Sequence, residues 1–278
     1  MIFCINGKFV PEAKATISVL DHGFLYGDGC YDTLRTYGGN ILELDLHLDR
    51  IEKDAQALGI RLPWTRAQLG TWILKMSRRN AFDAARIRVT ITRGMNGGDF
   101  TKSKHPLLVI TGEPLVINPK IYKKGYDVST IKLERPLAHL KTLGLASTIV
   151  ARQKAATNHN DEIIYVGEKN MVREGTATNV FIVKNGTIST PAHGVLPGLT
   201  RGRIVTLARK AGYKINVCDF TVRSLLQADE VFLSNTPLEI IPVTRCNGRI
   251  IGNGKPGPVT QELLAAYRAY AKRATGLQ

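Results

Sequence analysis

Lys141 opens the stretch 140–152 (LKTLGLASTIVAR), most of which is apolar. Burial lowers the pKa of an ammonium, because the charged form is the one that loses solvation. A neutral amine is what Schiff-base chemistry with an aldehyde requires. A lysine beside apolar residues also reads as a snorkelling surface side chain, so the assignment turns on what accompanies it. Three further stretches end apolar runs in polar groups. VREGTATNVFIV sets Glu174 just before small polar residues and a buried strand. GVLPGLTRGRIVTLA is a Pro-Gly turn that delivers a helix start at Leu199-Thr200, whose free amides suit a phosphate. ADEVFLSNTPLEIIPV ends a strand in Asn235-Thr236. Taken singly, each also reads as a turn, a capped helix or a strand end.

These residues need elements to position them. Ile2–Ile5 and 8–10 flank Asn6-Gly7, a hairpin signal. In GFLYGDGCYDTLRTYGGNILELD, Gly23, Gly27 and Gly29 mark tight backbone, 31–37 reads as a strand, and Gly38-Gly39-Asn40 turns it back into 41–44. The glycine spacing superficially matches a dinucleotide fingerprint, but no hydrophobic strand precedes it and no helix opens from it, which excludes that reading. Leu44, Leu48, Ile51, Ala55 and Leu58 step by four and three, an amphipathic helix stopped by Gly59 with Arg50 bordering its apolar stripe. Thr65 is the N-cap of a second helix with Leu69, Ile73 and Met76 inward. Over 85–93 the period is two: Ile87, Val89 and Ile91 on one face, Arg86, Arg88, Thr90 and Thr92 on the other. A strand follows at 107–111.

Periodicity is lost over 113–125, where two prolines fall. The spacing predicts a small N-terminal α/β domain over 1–113, a linker at 114–125 and a larger C-terminal domain over 126–278. In that second half, strands are expected at 126–133, Glu162–Val166, 180–183, 216–221 and 230–233. A helix is expected after Lys141, another opens at Leu199-Thr200 with Ile204, Leu207 and Ala211 inward and Gly212 as stop, and 258–273 closes the chain.

The 278 residues are 44% hydrophobic, enough for two moderate domains with proper cores. The formal net charge of +15 admits nucleic acid or a membrane surface as partners. The basic residues are scattered, however, and no interleaved aromatics mark a nucleic-acid face. Cys4, Cys30, Cys218 and Cys246 lie far apart with no CxxC, which predicts free thiols in a reducing cytoplasm and no metal site. The N-terminus has no signal-peptide pattern, and no apolar run approaches membrane-spanning length.

In this order, the four stretches resemble the class IV aminotransferases that use pyridoxal phosphate, a family that includes branched-chain aminotransferases, D-amino acid transaminases and aminodeoxychorismate lyases. YGDGCYDTLR and LHLDRI match as well, so the resemblance covers nearly the whole chain. It implies the fold type IV architecture, two α/β domains with the cofactor at their interface and a homodimer completing each site. It also implies residue roles: Lys141 as the Schiff-base lysine and proton shuttle, Glu174 as the carboxylate on the pyridine nitrogen, and Arg50 as the phosphate-binding arginine. The amides of Leu199 and Thr200, with Asn235-Thr236 and the Thr236 hydroxyl, correspond to the rest of the phosphate cup. Tyr31 corresponds to an aromatic residue facing the substrate.

Departures from the family bear on substrate. Branched-chain enzymes usually carry an Asn-Tyr pair shortly after the lysine. Here the run is Lys141-Thr-Leu-Gly-Leu-Ala, closer to the KSLNLL-like run of D-amino acid transaminases. The best-known D-enzymes place an arginine and a histidine in the loop after the TRG of the 85–93 strand, where this chain has Gly98 and Phe100. That leaves Arg88 as the candidate for the substrate carboxylate and Arg35 as the second, each of which also reads as solvent-facing. The expected activity is exchange of an amino group between an amino acid, D favoured, and a 2-oxo acid such as 2-oxoglutarate or pyruvate. A branched-chain L-enzyme and then an aminodeoxychorismate lyase are the alternatives within the family, and a basic nucleic-acid-binding protein is the alternative outside it.

Overall fold

Asn6 and Gly7 take φ of 48° and 80°, as a two-residue type I′ turn demands, and fold β1 (Ile2–Ile5) back on β2 (Lys8–Pro11). In this computed structural model residues 1–277 are described. The chain divides into two units: Met1–Val116 with Leu140–Gly144 and the residues from Ala271 on, and Ile117–His139 with Leu145–Tyr270. The boundary near Val116 falls in the aperiodic stretch 113–125. The later return of 140–144 to the first unit has no counterpart in the sequence reading.

The first unit continues with α1 (His22–Tyr26), β3 (Gly29–Tyr37), β4 (Asn40–Ile41), α2 (Leu44–Ala57), α3 (Arg66–Arg79), β5 (Ala85–Thr92) and β6 (Leu107–Pro114). Its six strands run β2-β1-β6-β5-β3-β4, every neighbour antiparallel. The strand expected at 41–44 shortens to Asn40–Ile41 because Leu44 already starts α2. Thr65 caps α3 in a full capping box with Gln68. Leu34, Ile87 and Ile91 of the sheet pack with Ile51 of α2 and Leu69, Ile73 and Met76 of α3, all within 2% of full burial. Each such side chain contributes about 1.5–3 kcal/mol of transfer free energy. Alternation then fixes the other face, where Tyr31, Thr33 and Arg35 of β3 stand opposite Thr90, Arg88 and Arg86 of β5.

β4 pairs only with Thr36 and Tyr37, leaving the first residues of β3 at an open edge. Residues 140–144 close it. Tyr31 N–H donates to the Lys141 carbonyl at 2.9 Å, Leu143 N–H donates to the Gly29 carbonyl at 3.0 Å, and Cys30 bridges Thr142. An unpaired edge is satisfied in this way by backbone from far along the chain.

The second unit contains α4 (Lys120–Lys124), β7 (Tyr126–Lys132), α5 (Ala146–Thr157), β8 (Glu162–Val166), β9 (Val172–Gly175), β10 (Asn179–Lys184), β11 (Thr187–Thr190), α6 (Leu199–Lys210), β12 (Ile215–Val217), α7 (Val222–Leu226), β13 (Glu230–Asn235), β14 (Glu239–Cys246), β15 (Arg249–Ile250) and most of α8 (Pro258–Ala274). The sheet runs β12-β11-β10-β13-β14-β7-β8-β9, with β15 beside β14. β8 is buried at every position and β10 and β13 at all but their last, so they read as continuous apolar runs rather than alternating ones. Two expectations change here. The strand expected at 216–221 is β12 followed by α7, because Thr221 accepts the Ser224 N–H and caps a helix. In α6 the buried residues are Thr200, Ile204, Val205 and Ala208, and Ala211 is exposed past the helix end. No helix among the described residues is long and apolar enough to cross a membrane.

Candidate active site

Lys141 sits on the extended segment against β3, not on a helix; α5 begins five residues later. Its N–H donates to Asp54 Oδ2 of α2 at 3.0 Å, so both backbone groups of Lys141 are fixed. From that anchorage Lys141 Nζ lies 4.6 Å from the centroid of the Tyr31 ring, and the Arg88 guanidinium carbon lies 3.6 Å from the same centroid. Tyr31 and Arg88 come from adjacent strands on one sheet face, which the register of β3 and β5 dictates. Burial raises the Tyr31 phenol, but the charges of Lys141 and Arg88 and their hydrogen bonds outweigh it, and the net shift is downward. Burial pulls Arg88 down from its ordinary value, with the Tyr31 oxygen opposing. Arg88 Nε also donates to Thr90 Oγ1 at 3.2 Å. Arg35, on the same face, instead lays its guanidinium 4.2 Å from the centroid of Tyr37. Phe100 packs with Tyr26 and His22, ring centroids 5.0 and 5.3 Å away.

Arg50 is on α2, and the core-facing Asp32 of β3 takes hold of it: Nε donates to Oδ2 at 2.9 Å and Nη2 to Oδ1 at 2.6 Å. His47 Nδ1 lies 3.1 Å from the same Oδ1. Asp32 is 1% exposed. Burial alone would raise its carboxyl, yet His47 and Arg50 hold it far below the carboxylate range. A planar guanidinium fixed along one edge keeps its remaining donors aimed in one direction, a fit for an oxyanion. Burial raises Asp54, which the Lys141 amide and Arg50 partly offset.

In the second unit, Glu174 of β9 is 5% exposed. Arg135 Nε donates to its Oε1 at 2.9 Å, Leu196 N–H to its Oε2 at 2.9 Å, and Asn179 Nδ2 to Oε2 at 3.4 Å. The Asn179 amide also donates to the Leu196 carbonyl at 2.9 Å. Leu196 thus ties the carboxylate to the start of α6 a few residues on. The N-cap there is Gly198, which brings no side-chain cap. The first-turn N–H groups of Leu199 and Thr200 therefore receive no side-chain acceptor from the cap, an arrangement that can accommodate an anion. A side chain at 198 is impossible without movement, since a Cβ would stand 2.0 Å from Asn179 Oδ1. Asn235 ends β13, and its Oδ1 accepts the Leu238 N–H at 2.7 Å to form the turn that carries Thr236.

Within the first unit the structure brings Lys141, Tyr31 and Arg88 together and leaves Arg35 with Tyr37. Within the second it joins Glu174 to the α6 start. Four supporting residues escaped the sequence reading: Asp32, Arg135, Asn179 and Glu162. Glu162, 3% exposed, accepts from Thr176 N–H, Thr176 Oγ1 and Thr178 Oγ1 and so fixes the turn after Glu174. Asp32 could have been found, because a charged residue at an inward position of an alternating strand demands a partner. Arg135 had no such signal.

Residues 29–246 match the family described as Amino-transferase class IV. A putative branched-chain-amino-acid aminotransferase of Methanocaldococcus jannaschii is 34% identical over 95% of this chain and 94% of its own length. A D-alanine aminotransferase of Listeria monocytogenes is 31% identical over 93% of this chain and 92% of its own. A branched-chain amino acid aminotransferase of T.th., solved with pyridoxamine 5′-phosphate, superposes with a TM-score of 0.92 at 27% identity, over 100% of this chain and 95% of that one. The lysine, glutamate and arginine on which the sequence resemblance rested all lie within the matched segment, and the chain belongs to the class IV aminotransferases, enzymes of pyridoxal phosphate.

Proposed function

We propose that this chain is a transaminase that prefers D-amino acids, passing their amino group to a 2-oxo acid such as 2-oxoglutarate or pyruvate. The observation that carries the transaminase reading, for either hand, is the pairing of Lys141 and Arg88 around Tyr31, an amine and a guanidinium with no side-chain ion pair to either among the described residues. That is a receptor for a group bearing both a nucleophile-reactive carbon and a carboxylate. Pyridoxal phosphate supplies the aldehyde and the electron sink. The residues present fit it: Lys141 for the aldehyde, Glu174 for the ring nitrogen, and for the phosphate Arg50, the Leu199 and Thr200 amides and the Asn235-Thr236 turn with the Thr236 hydroxyl. Lys141 Nζ takes the proton from the substrate α-carbon, Arg88 and the Tyr31 phenol hold the carboxylate, and Arg35 is the second cation on that face.

The hand follows from geometry. The α-carbon bond that breaks must point at Lys141, so the carboxylate and side chain share two remaining places, and exchanging them exchanges D for L. The run after Lys141 and the D-alanine relatives support D. The branched-chain L reading is supported by the position of Arg88 and by the branched-chain relative. A panel of D- and L-amino acids decides: D-alanine or D-glutamate should turn over faster than L-leucine. Rapid L-leucine turnover with silent D-substrates overturns the preference. Arg88→Ala should raise KM for amino acids at least about tenfold, as loss of a charge-assisted hydrogen bond of about 1.5–3 kcal/mol implies, and leave KM for amines lacking a carboxylate nearly unchanged.

A cytoplasmic homodimer completes the proposal. Ile17, Val19, Leu20, Phe24, Leu25 and Tyr26 are 46–68% exposed, an apolar run that a second copy would cover. The four cysteines are free, in keeping with a reducing compartment.

A further inference from the structure

Apart from the transaminase residues, the second unit holds a cavity of about 880 Å³. Lys132 at the end of β7, Lys169 in the short turn 168–170, Arg223 of α7 and Arg249 of β15 all line it, and no aspartate or glutamate does. Glu168, next to Lys169 in the chain, does not line it either, and of the other acids near in the chain Glu134 and Asp219 pair with Arg173 and Asp127 with Arg245. Among the described residues none of the four cations has an ion-pair partner. Four like charges gathered in one concavity repel one another and focus a positive potential there.

Lys169 and Asn170, both lining the cavity, are the central pair of the two-residue turn between β8 and β9: they take φ of 52° and 57°, and Met171 N–H donates to the Glu168 carbonyl at 3.0 Å. Asn170 and Gln227 add neutral hydrogen-bonding groups to the lining.

We infer that this cavity binds a small organic anion carrying adjacent phosphate groups. Its volume lies within the range of small-molecule sites. Guanidinium forks from Arg223 and Arg249, flanked by lysine point charges, match the density of charge on an oligophosphate better than that on a single carboxylate. The site is separate from the transaminase machinery and does not depend on the substrate reading.

The test is calorimetric titration of inorganic tripolyphosphate into the protein saturated with pyridoxal phosphate, so that the cofactor's own phosphate site is filled. Saturable one-site binding is expected, weakening as salt rises. It should weaken at least about tenfold in the Arg223→Ala/Arg249→Ala double variant and in Lys132→Ala/Lys169→Ala, as loss of charge-assisted hydrogen bonds implies, with transaminase turnover unchanged in both as evidence of intact folding. Absence of saturation, or an affinity untouched by both variants, overturns the site. Citrate binding as tightly as tripolyphosphate overturns the assignment to phosphate.

Discussion

The Lys141 cluster of the first unit and the Glu174 cluster of the second are built on opposite plans. Around Tyr31, Lys141 and Arg88 crowd two cations onto one phenol, with no side-chain ion pair to either among the described residues. Around Glu174, a guanidinium, a backbone amide and a side-chain amide converge on one carboxylate. A cluster left short of negative charge is a place where an incoming anion gains most, because it relieves repulsion as well as forming bonds. A cluster already satisfied is rigid, and it presents its charge in one orientation. The first plan suits a substrate that comes and goes, and the second suits a cofactor that stays. The first unit also holds its own example of the second plan in Asp32, which clamps Arg50.

The comparison can be broken by removing negative charge from either satisfied cluster. The largest effect is expected at Asp32→Asn, which strands Arg50 and His47 against a buried amide. Breaking a buried pair in this way costs about 3–5 kcal/mol, read as a lower denaturation midpoint. Because the carboxyl is held far below its ordinary value, the stability it contributes is present above the unfolded pKa of about 4 and is lost as pH falls through the folded one. The gap between wild type and variant should therefore close in acid. An unchanged midpoint at neutral pH would show that the clamp is not structural.

How far these clusters were legible in the sequence depended on the range of the contact. α2 was readable from its four-three stepping and α3 from its Thr65 cap, both local signals. Glu174 and the α6 start were readable from short motifs. The pairing of residues 140–144 with the open edge of β3 was not, since it joins backbone from widely separated parts of the chain and backbone pairing leaves no side-chain pattern. For the same reason Lys141 was expected in the C-terminal domain, whereas its segment belongs to the first unit. Arg135 and Glu174 meet across 39 positions, and nothing in the run LERPLAHL singles the arginine out. Arg88 was readable as a polar-face residue, but its stacking on Tyr31 follows only from the register of β5 on β3.

A smaller effect is expected at Glu174→Gln. The isosteric amide keeps the Leu196 and Asn179 contacts in part but removes the charge, so cofactor should be retained while amino-group transfer slows. Loss of one charge-assisted hydrogen bond, about 1.5–3 kcal/mol, corresponds to roughly one to two decades in rate. Loss of cofactor without a change in rate per bound cofactor would contradict the division of roles.

The smallest effect sharpens the first cluster. In cofactor-free protein the Tyr31 phenol should ionise below the ordinary value of about 10, because Lys141 and Arg88 outweigh burial. An acid group lowered on folding adds stability as pH rises through its folded pKa. Ultraviolet difference titration should find the tyrosine ionisation moved upward in Lys141→Ala. A titration curve identical to wild type would mean that the amine does not face the ring in solution.

The central claim is that Lys141, fixed by β3 and Asp54, is the amine of the reaction. Borohydride reduction of the protein loaded with pyridoxal phosphate, followed by peptide mapping, tests it most directly. The account predicts one stoichiometric cofactor adduct, on the peptide carrying Lys141, and none in Lys141→Ala. An adduct on another lysine, or an undiminished yield in the variant, would contradict it.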